Sequence, residues 1–574
     1  MMVTAEEEAR RATSVLDLSA AIDFATRSHA RALAALILVS LLAFLPGFFQ
    51  IPPVDRDEAR FAQATKQMLE SDDYVDIRFQ DETRYKKPVG IYWLQAAVVK
   101  TAETIGIAHA RTDIWLYRIP SLLGAVGGVL LTYWTALAFV SRRAALLAGL
   151  MLASSILLGV EARLAKTDAM LLLTIVAAMG SLGRIYLAAR DARPLPANSW
   201  LLPTILWTAL AAGVLLKGPL ILMVAGLAVA ALSIVDRSAR WMSALKPLSG
   251  TLWLLLLVLP WFVAIVARSG DSFFAESVGQ DLFAKVGSGQ ESHGAPPGVY
   301  FLLFWLTFWP GSMLAGLAAP AVWNVRYEPG AKFLLAWIVP SWIVFEVVPT
   351  KLPHYVLPLY PAIAILAAGI LDHHALSRGR WLQAGTVWWF IIATALALAT
   401  ITLHMVFGEE LGFAAWPFAA AAIVLSLFAW QLFVIDGAER SFVRAAIASV
   451  CIAFAAYGTT FAALPALFPA AQLAAYMEGA NCENPAVATA GYHEPSLVFL
   501  VGTDLKHTDG AGAAEFLGAG GCRFAFVESH QLRAFVQHAE AIGLRYAAGP
   551  QVDGVNISGG RRVTIAVYRA EAPP

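Results

Sequence analysis

Charge is scarce in this chain. Only 14% of its 574 residues are Asp, Glu, Lys or Arg, and 41 basic residues balance 41 acidic ones. With no net charge, there is no electrostatic case for a nucleic-acid partner. Cysteine is scarcer still, three residues with no metal-ligand spacing among them. Met1 to Arg31 carries Glu6-Glu7-Glu8 and lacks the compact basic start of a cleaved signal peptide. It reads as a cytoplasmic tail, with an interfacial helix around Val15 to Ala25. Internal repeats and low-complexity tracts are missing as well.

What is abundant is apolar sequence. Hydrophobic residues make up 58% of the chain. They recur in runs of roughly 17 to 22 residues, the length a helix needs to cross a bilayer. The expected fold is therefore an α-helical polytopic membrane protein with about thirteen spans. The spans are Ala32–Phe49, Arg118–Val140, Ala144–Val160, Asp168–Ala188, Trp200–Leu216, Pro219–Val235 and Thr251–Ala267. They continue at Val299–Ala319, Ala331–Val348, Tyr355–Leu371, Trp381–Leu403, Ala415–Val434 and Val443–Ala462. Val89–Thr104 is short and mixes Lys100 and Glu103 with its apolar face, so it reads as an interfacial helix.

Every second short loop is basic: Arg142 and Arg143; Arg190 and Arg193; Arg237, Arg240 and Lys246; Arg326 and Lys332; Arg378 and Arg380; Arg440 and Arg444. These loops share a side with the tail, with its Arg27 and Arg31, if Val89–Thr104 does not cross. The positive-inside rule then makes that side cytoplasmic. The opposite loops hold the unusual polar residues: the stretch 50–117, Glu161–Thr167, Lys217-Gly218, Arg268–Pro296, Thr350–His354 and Glu409-Glu410. Snorkelling charges scattered at random would not sort onto one face.

Beyond Leu464 the hydrophobicity falls and glycine rises. Short β-type runs at Ser496–Val501, Arg523–Val527 and Arg562–Tyr568, with a helical pattern at His530–Ala541, predict a small α/β extracytoplasmic domain over 465–574. Residues 1–31 form the tail and 32–464 the membrane domain. Cys482 and Cys522 both fall in the outer domain, where a bridge and two unrelated thiols are both open readings. Cys451 lies within a span and packs there.

The chemistry gathers in Pro52 to Trp93. Asp57 and Glu58 stand where a helix begins, with Arg60 three residues after Asp57. Acidic residues at a helix start are favoured by the dipole whatever their task. A functional reading makes Asp57 a general base or electrostatic partner at the membrane surface. Asp168 opens the fourth span in the same way, beside Arg163 and Lys166 on the same membrane face. Lys87, Lys217 and Lys351 could each simply snorkel. Three such cations beside two carboxylates instead suggest an anion site, and a lipid phosphate is the obvious membrane-borne anion. Arg268 and His293 lie in one loop of that face, and a single loop histidine is more often structural or solvated than a ligand.

Five motifs occur in order: Asp-Glu-x-Arg-Phe-Ala (Asp57 to Ala62), Tyr-Lys-Lys-Pro with a following Tyr-Trp (Tyr85 to Trp93), Glu-Ala-Arg with a downstream Thr-Asp (Glu161 to Asp168), Leu-Lys-Gly-Pro (Leu216 to Pro219) and Lys-Leu-Pro-His-Tyr-Val-Leu-Pro-Leu-Tyr-Pro (Lys351 to Pro361). Together they resemble the ArnT-like group of GT-C integral-membrane glycosyltransferases, over residues 30 to 370 by motif and the remainder by architecture. The resemblance implies transfer of a sugar from a polyprenyl (undecaprenyl) phosphate carrier to a lipid A-like, lipid or glycan acceptor at the periplasmic face of a bacterial inner membrane, with inversion. It makes Asp57 and Asp168 the catalytic carboxylates. It places Arg60, Lys87 and Lys217 at the carrier phosphate, with Arg268 a looser candidate, and Glu58, Arg163 and Lys351 among the substrate-binding residues. One departure matters: where the family often has an acidic residue before the lysine, this chain has Lys86. A divalent metal bridging that loop to His293 is therefore not expected, nor any other cofactor.

Two readings from other classes compete. A transporter would set its polar groups and broken helices at mid-span. A scaffold or sensor would give no reason for the Asp/Lys/Arg constellation.

Overall fold

The computed structural model describes residues 18–190, 199–270, 272–276, 294–408, 411–480, 482 and 484–570. His293 and Glu409-Glu410 lie outside them. Among the described residues eight helices are long and apolar enough to cross a membrane, and the shorter apolar helices His29–Phe44, Leu201–Lys217 and Leu220–Val235 stand among them. Several expected spans are broken, two of them well inside the segment. Arg142–Ala153 and Ile156–Glu161 are separated where the Ser154 and Ser155 hydroxyls donate back to the Leu150 and Leu152 carbonyls. Val299–Thr307 and Gly311–Asn324 are separated at Pro310, which has no N–H to continue the ladder. Whole or in pieces, helix occupies each of the thirteen segments expected from the sequence. The chain is a multi-pass helical membrane protein.

The helices share two ends. Asp168–Ala188, a 21-residue helix buried along most of its length, is about 30 Å long. Asp168 marks one end of it and Arg190 follows the other. At the Arg190 end the basic loops meet each other's acids. Asp236 takes Arg190 and Lys332, and Arg143 bridges Asp23 and Glu439. These basic loops therefore gather on one side, as their alternation along the sequence predicted.

At the Asp168 end the chain leaves the first long helix at Leu45 and forms the helix Asp57–Ser71. A two-stranded hairpin (β1, Arg78–Phe79; β2, Glu82–Thr83) and the helix Gly90–Thr104 follow. It then enters Ile114–Ala136. Arg118, in the first turns of that helix, donates to the Phe48 and Ile51 carbonyls at 3.0 and 2.8 Å. The whole excursion thus begins and ends on one side, and Gly90–Thr104 does not carry the chain across.

The C-terminal region is a five-stranded sheet in the order β4-β3-β5-β7-β6. Its strands are β3 (Ala486–Ala490), β4 (Lys506–Thr508), β5 (Arg523–Glu528), β6 (Tyr546–Asn556) and β7 (Arg561–Ala570). β3 runs parallel to β4 and β5, and β7 antiparallel to β5 and β6. Alternate β5 residues sort to opposite faces: Phe524 and Phe526 pack with Leu473 and Leu497, Ala525 and Val527 with Leu517 and Phe535. Both faces are covered by helices. Cys482 and Cys522 are joined by a disulfide. Cys451 packs half-buried against the bundle core.

One expected strand is a helix. Ser496–Val501 belongs to the helix Pro495–Val501, opened by Pro495 and closed at Gly502. A run of five apolar residues fits either element. Here burial of Phe499 against Tyr117, ring centres 5.2 Å apart, decides for the helix.

Candidate active site

The loop before Asp57 is fixed by a buried ion pair. Arg118 spends all five guanidinium donor positions: two on the Glu58 carboxylate at 2.8 Å each, and the rest on the carbonyls of Phe48, Ile51 and Pro52. Glu58 also accepts the Val54 and Ala165 backbone N–H groups at 2.9 Å. Both side chains are 1% exposed. The pair thus ties the turn before Asp57–Ser71 to the loop before Asp168–Ala188. Glu58 walls the site, but its oxygens are committed to protein donors; a placement next to substrate is corrected to one that holds the frame.

Between these helices lies a cavity of about 330 Å³. Asp57 and Arg60 line it from the first turn of their helix, and Arg84, Lys86 and Lys87 from the segment after β2. Lys166, Thr167 and Asp168 contribute from the next membrane end, Lys217 from a helix C-terminus, and His354 and Tyr355 from the turn before Tyr360–Asp372. Seven basic side chains face it against four acidic ones, so the cavity suits an anion.

Local sequence explains the convergence. Gly90 lets Gly90–Thr104 approach closely: a Cβ there would sit 2.7 Å from the Leu215 carbonyl oxygen. That contact brings the Lys86-Lys87 segment beside the end of Leu201–Lys217. Gly218, at φ +66°, reverses the chain directly after Lys217 in a region that favours glycine.

The floor of the cavity is a charge network. Lys217 is ion-paired with Asp168, and Lys166 lies 3.1 Å from Glu161. His354 sits between the two acids, Nδ1 3.5 Å from Glu161 and Nε2 3.6 Å from Asp168. Lys217 also stands 5.1 Å from the centre of the Tyr355 ring. Glu161, Asp168 and His354 offer three donor atoms within 4.8 Å of one another, a set that could hold a divalent ion. Lys166 and Lys217 already neutralise both carboxylates there and would have to withdraw to admit one.

Three cations expected at the site stand elsewhere. Arg163 donates to the carbonyls of Ala43, Pro46 and Gly159 and covers the Tyr457 ring at 4.1 Å. It lines a separate, mostly apolar cavity of about 280 Å³ between the membrane helices. Lys351 caps the helix Pro329–Val347, donating to the Phe345, Glu346 and Val348 carbonyls. Arg268 is exposed and paired with Asp73. In each case carbonyls or an acid close in the fold take the cation first. Conversely, Lys86, Lys166 and His354 carry no site assignment in the sequence reading. All three lie inside its motifs, and their neighbours there were the available signal.

The sheet domain closes over this end. Ser496 N–H donates to Asp55 at 2.9 Å, and Lys66 reaches the Phe499 carbonyl at 2.9 Å. Burial pushes the Asp55 carboxyl up to about 6, the Ser496 hydrogen bonds opposing this and the Glu494 charge adding to it. Burial also lowers Lys66 below the ordinary lysine value.

Comparison with known proteins places these features. Residues 34–271 match the family described as Dolichyl-phosphate-mannose-protein mannosyltransferase. The undecaprenyl phosphate-alpha-4-amino-4-deoxy-L-arabinose arabinosyl transferase of Erwinia tasmaniensis is 30% identical over 381 residues, 66% of this chain and 62% of the relative. The Edwardsiella ictaluri protein of the same name is 29% identical over 403 residues, 66% of this chain and 68% of the relative. The chain thus spans somewhat less than two thirds of the first relative's length. In fold it is similar to ArnT from Cupriavidus metallidurans, solved bound to undecaprenyl phosphate, with a TM-score of 0.72 at 19% identity over 94% of this chain and 98% of that one. The chain is thus similar in sequence to these transferases over about two thirds of its length, and in fold to ArnT over 94% of it.

Proposed function

We propose that this protein is an inverting glycosyltransferase that moves a sugar from a polyprenyl phosphate carrier, undecaprenyl phosphate in a bacterial inner membrane, to a lipid A-like or other envelope acceptor. The observation that carries this reading is the single cavity holding Asp57 and Asp168 together with Arg60, Lys87 and Lys217 at one end of a membrane bundle. The tail and basic loops are cytoplasmic in this reading, and the cavity and sheet domain periplasmic.

The reaction breaks the bond between the anomeric carbon and the carrier phosphate oxygen while the acceptor oxygen bonds the opposite face of that carbon. Positive charge grows on the sugar and negative charge on the departing lipid phosphate. Fixed cations where the negative charge appears lower the barrier, because they need no reorganisation as it develops. Lys87 and Arg60 serve that role, with Lys86 and Arg84 beside them. Asp57, exposed at the start of its helix, takes the proton of an acceptor hydroxyl or orients an acceptor already ionised. Asp168 holds Lys217 by its ion pair and keeps that ammonium aimed at the phosphate. Lys166 and Lys217 neutralise the floor of the site, and transfer in this reading needs no metal.

The test compares envelope glycolipids by mass spectrometry in cells with the wild-type protein, with Asp57→Asn and without the gene. A sugar increment lost equally in the last two is expected. An increment retained by Asp57→Asn removes that residue from the mechanism, and no increment in any strain removes the reading. A reporter fused at Gly510 should be active only in the periplasm.

A further inference from the structure

The two residues before Asp57 are held by a part of the chain more than four hundred positions away. Asp55 accepts the Ser496 N–H at 2.9 Å, and the Arg56 guanidinium donates to the Ser558 carbonyl at 2.6 Å. Arg56 itself adopts φ 69° and ψ −110°, a conformation L-residues rarely take. Such a backbone persists when its surroundings over-determine it, and it is concentrated at functional sites. Ser558 lies at the tip of the β6–β7 hairpin. That tip is fastened by Glu494, whose carboxylate accepts from Asn556 Nδ2 at 2.6 Å and from the Ser558 hydroxyl at 3.1 Å. Further along the Asp57 helix, Gln63 meets Thr503 at 2.8 Å and Lys66 meets the Phe499 carbonyl.

We propose that the sheet domain positions Asp57 for transfer, with Arg56 as the positioning residue held by the Glu494-fastened hairpin tip. Asp57 is the first residue of its helix, so the torsions of Arg56 set where that helix starts and where the carboxylate points. Releasing the tip lets Arg56 relax toward ordinary torsions and swings Asp57 away, while the cations that bind the carrier phosphate stay in the membrane domain. The domain therefore acts on turnover and leaves carrier binding largely alone. This rests on the reading of Asp57 given above.

Glu494→Ala tests it from outside the cavity, in the full-length protein. Misplacement by about an ångström costs on the order of a hundredfold in rate. A fall in kcat of roughly ten- to a hundredfold is therefore expected, with KM for the lipid-phosphate sugar within about threefold of wild type. Glu494→Gln keeps both contacts, because the Ser558 hydroxyl accepts as well as donates, and should restore kcat. Val552→Ala, in the domain core, gives a destabilised domain with the tip contacts intact and should keep kcat in the folded fraction. Amide exchange over Val54–Arg60 should speed up in Glu494→Ala and stay at the wild-type rate in Glu494→Gln. Unchanged exchange there in Glu494→Ala, or a kcat loss shared by Val552→Ala, overturns the proposal. Absence of transfer by the wild type would instead sink the enzyme reading, and the exchange measurement would still judge the clamp.

Discussion

Replacing Glu58 by Gln changes one atom in a buried ion pair and should unsettle the fold. Every group facing the Glu58 carboxylate is a donor: Arg118 twice, and the Val54 and Ala165 N–H groups. A glutamine has one acceptor oxygen, and whichever way its amide turns, the NH₂ meets donors and two of the four hydrogen bonds fail. Arg118 is left charged at 1% exposure with no counter-charge. Breaking a buried pair from one side costs about 3–5 kcal/mol, and the two lost bonds belong to that same cost. Arg118→Met should lose a similar amount, since it orphans the Phe48, Ile51 and Pro52 carbonyls. The double variant Glu58→Gln/Arg118→Met removes both charges together. It should be about 2 kcal/mol or more better than the sum of the singles, the sign of direct coupling. Thermal unfolding of purified protein in one detergent, followed by intrinsic fluorescence over the full cycle, measures this. If Glu58→Gln unfolds within about 1 kcal/mol of wild type, or the double variant costs the full sum, the pair does not anchor this loop.

Three further outcomes follow from the same contacts. Asp55 has a raised carboxyl value of about 6, so the folded state holds a proton that the unfolded chain releases near 4. Stability from this group is present at low pH and lost as pH rises through 6, by about 1–3 kcal/mol. Docking of the sheet domain, read by protease resistance of residues 465–570, should weaken from pH 5 to 7.5, and Asp55→Asn should flatten the change, since Glu494, Tyr492 and Arg60 remain around it. Asp168→Asn and Lys217→Met should each abolish transfer and lower the melting temperature. The double variant should regain stability without activity, since it no longer buries an unmatched charge. Cys482→Ser opens a cross-link with a sequence separation of 40; loop closure of that length is worth up to about 4 kcal/mol, seen as domain unfolding at lower denaturant with the membrane helices intact.

How far the sequence reached can be judged residue by residue. Hydropathy located the thirteen helical segments because a bilayer leaves backbone groups few alternatives to a helix. The alternation of basic loops sorted the ends for a related reason: charges must lie at them. That Asp57, Asp168, Lys87 and Lys217 would share one cavity was legible because Asp57, Asp168 and Lys217 stand at helix ends on the polar side and Lys87 lies in the charged stretch between two helices there. Ser496–Val501 was misassigned because five consecutive apolar residues carry no period that separates strand from helix. Arg118 shows a subtler failure. It reads only as the first residue of a span, but the helix begins four residues earlier at Ile114, and the guanidinium turns inward to Glu58.

The cations divide by what reaches them first. A helix ending near the membrane surface leaves carbonyls without partners, and a nearby arginine or lysine satisfies them. Arg163 and Lys351 are taken this way, and sequence spacing cannot reveal it because the acceptors are backbone. Lys217 sits at a helix C-terminus too, yet Gly218 turns the chain away and its ammonium goes to Asp168 from another helix. Lys166 goes to Glu161 across the network that His354 joins. A cation held by side-chain acids lining a cavity can be shared with an arriving phosphate at modest cost. One enclosed by three carbonyls cannot, because leaving would strand polar groups in a water-poor interior. In the proposed reading, that distinction separates the cations that fasten the fold from those that meet a substrate, with Lys217 and Lys166 in the second group.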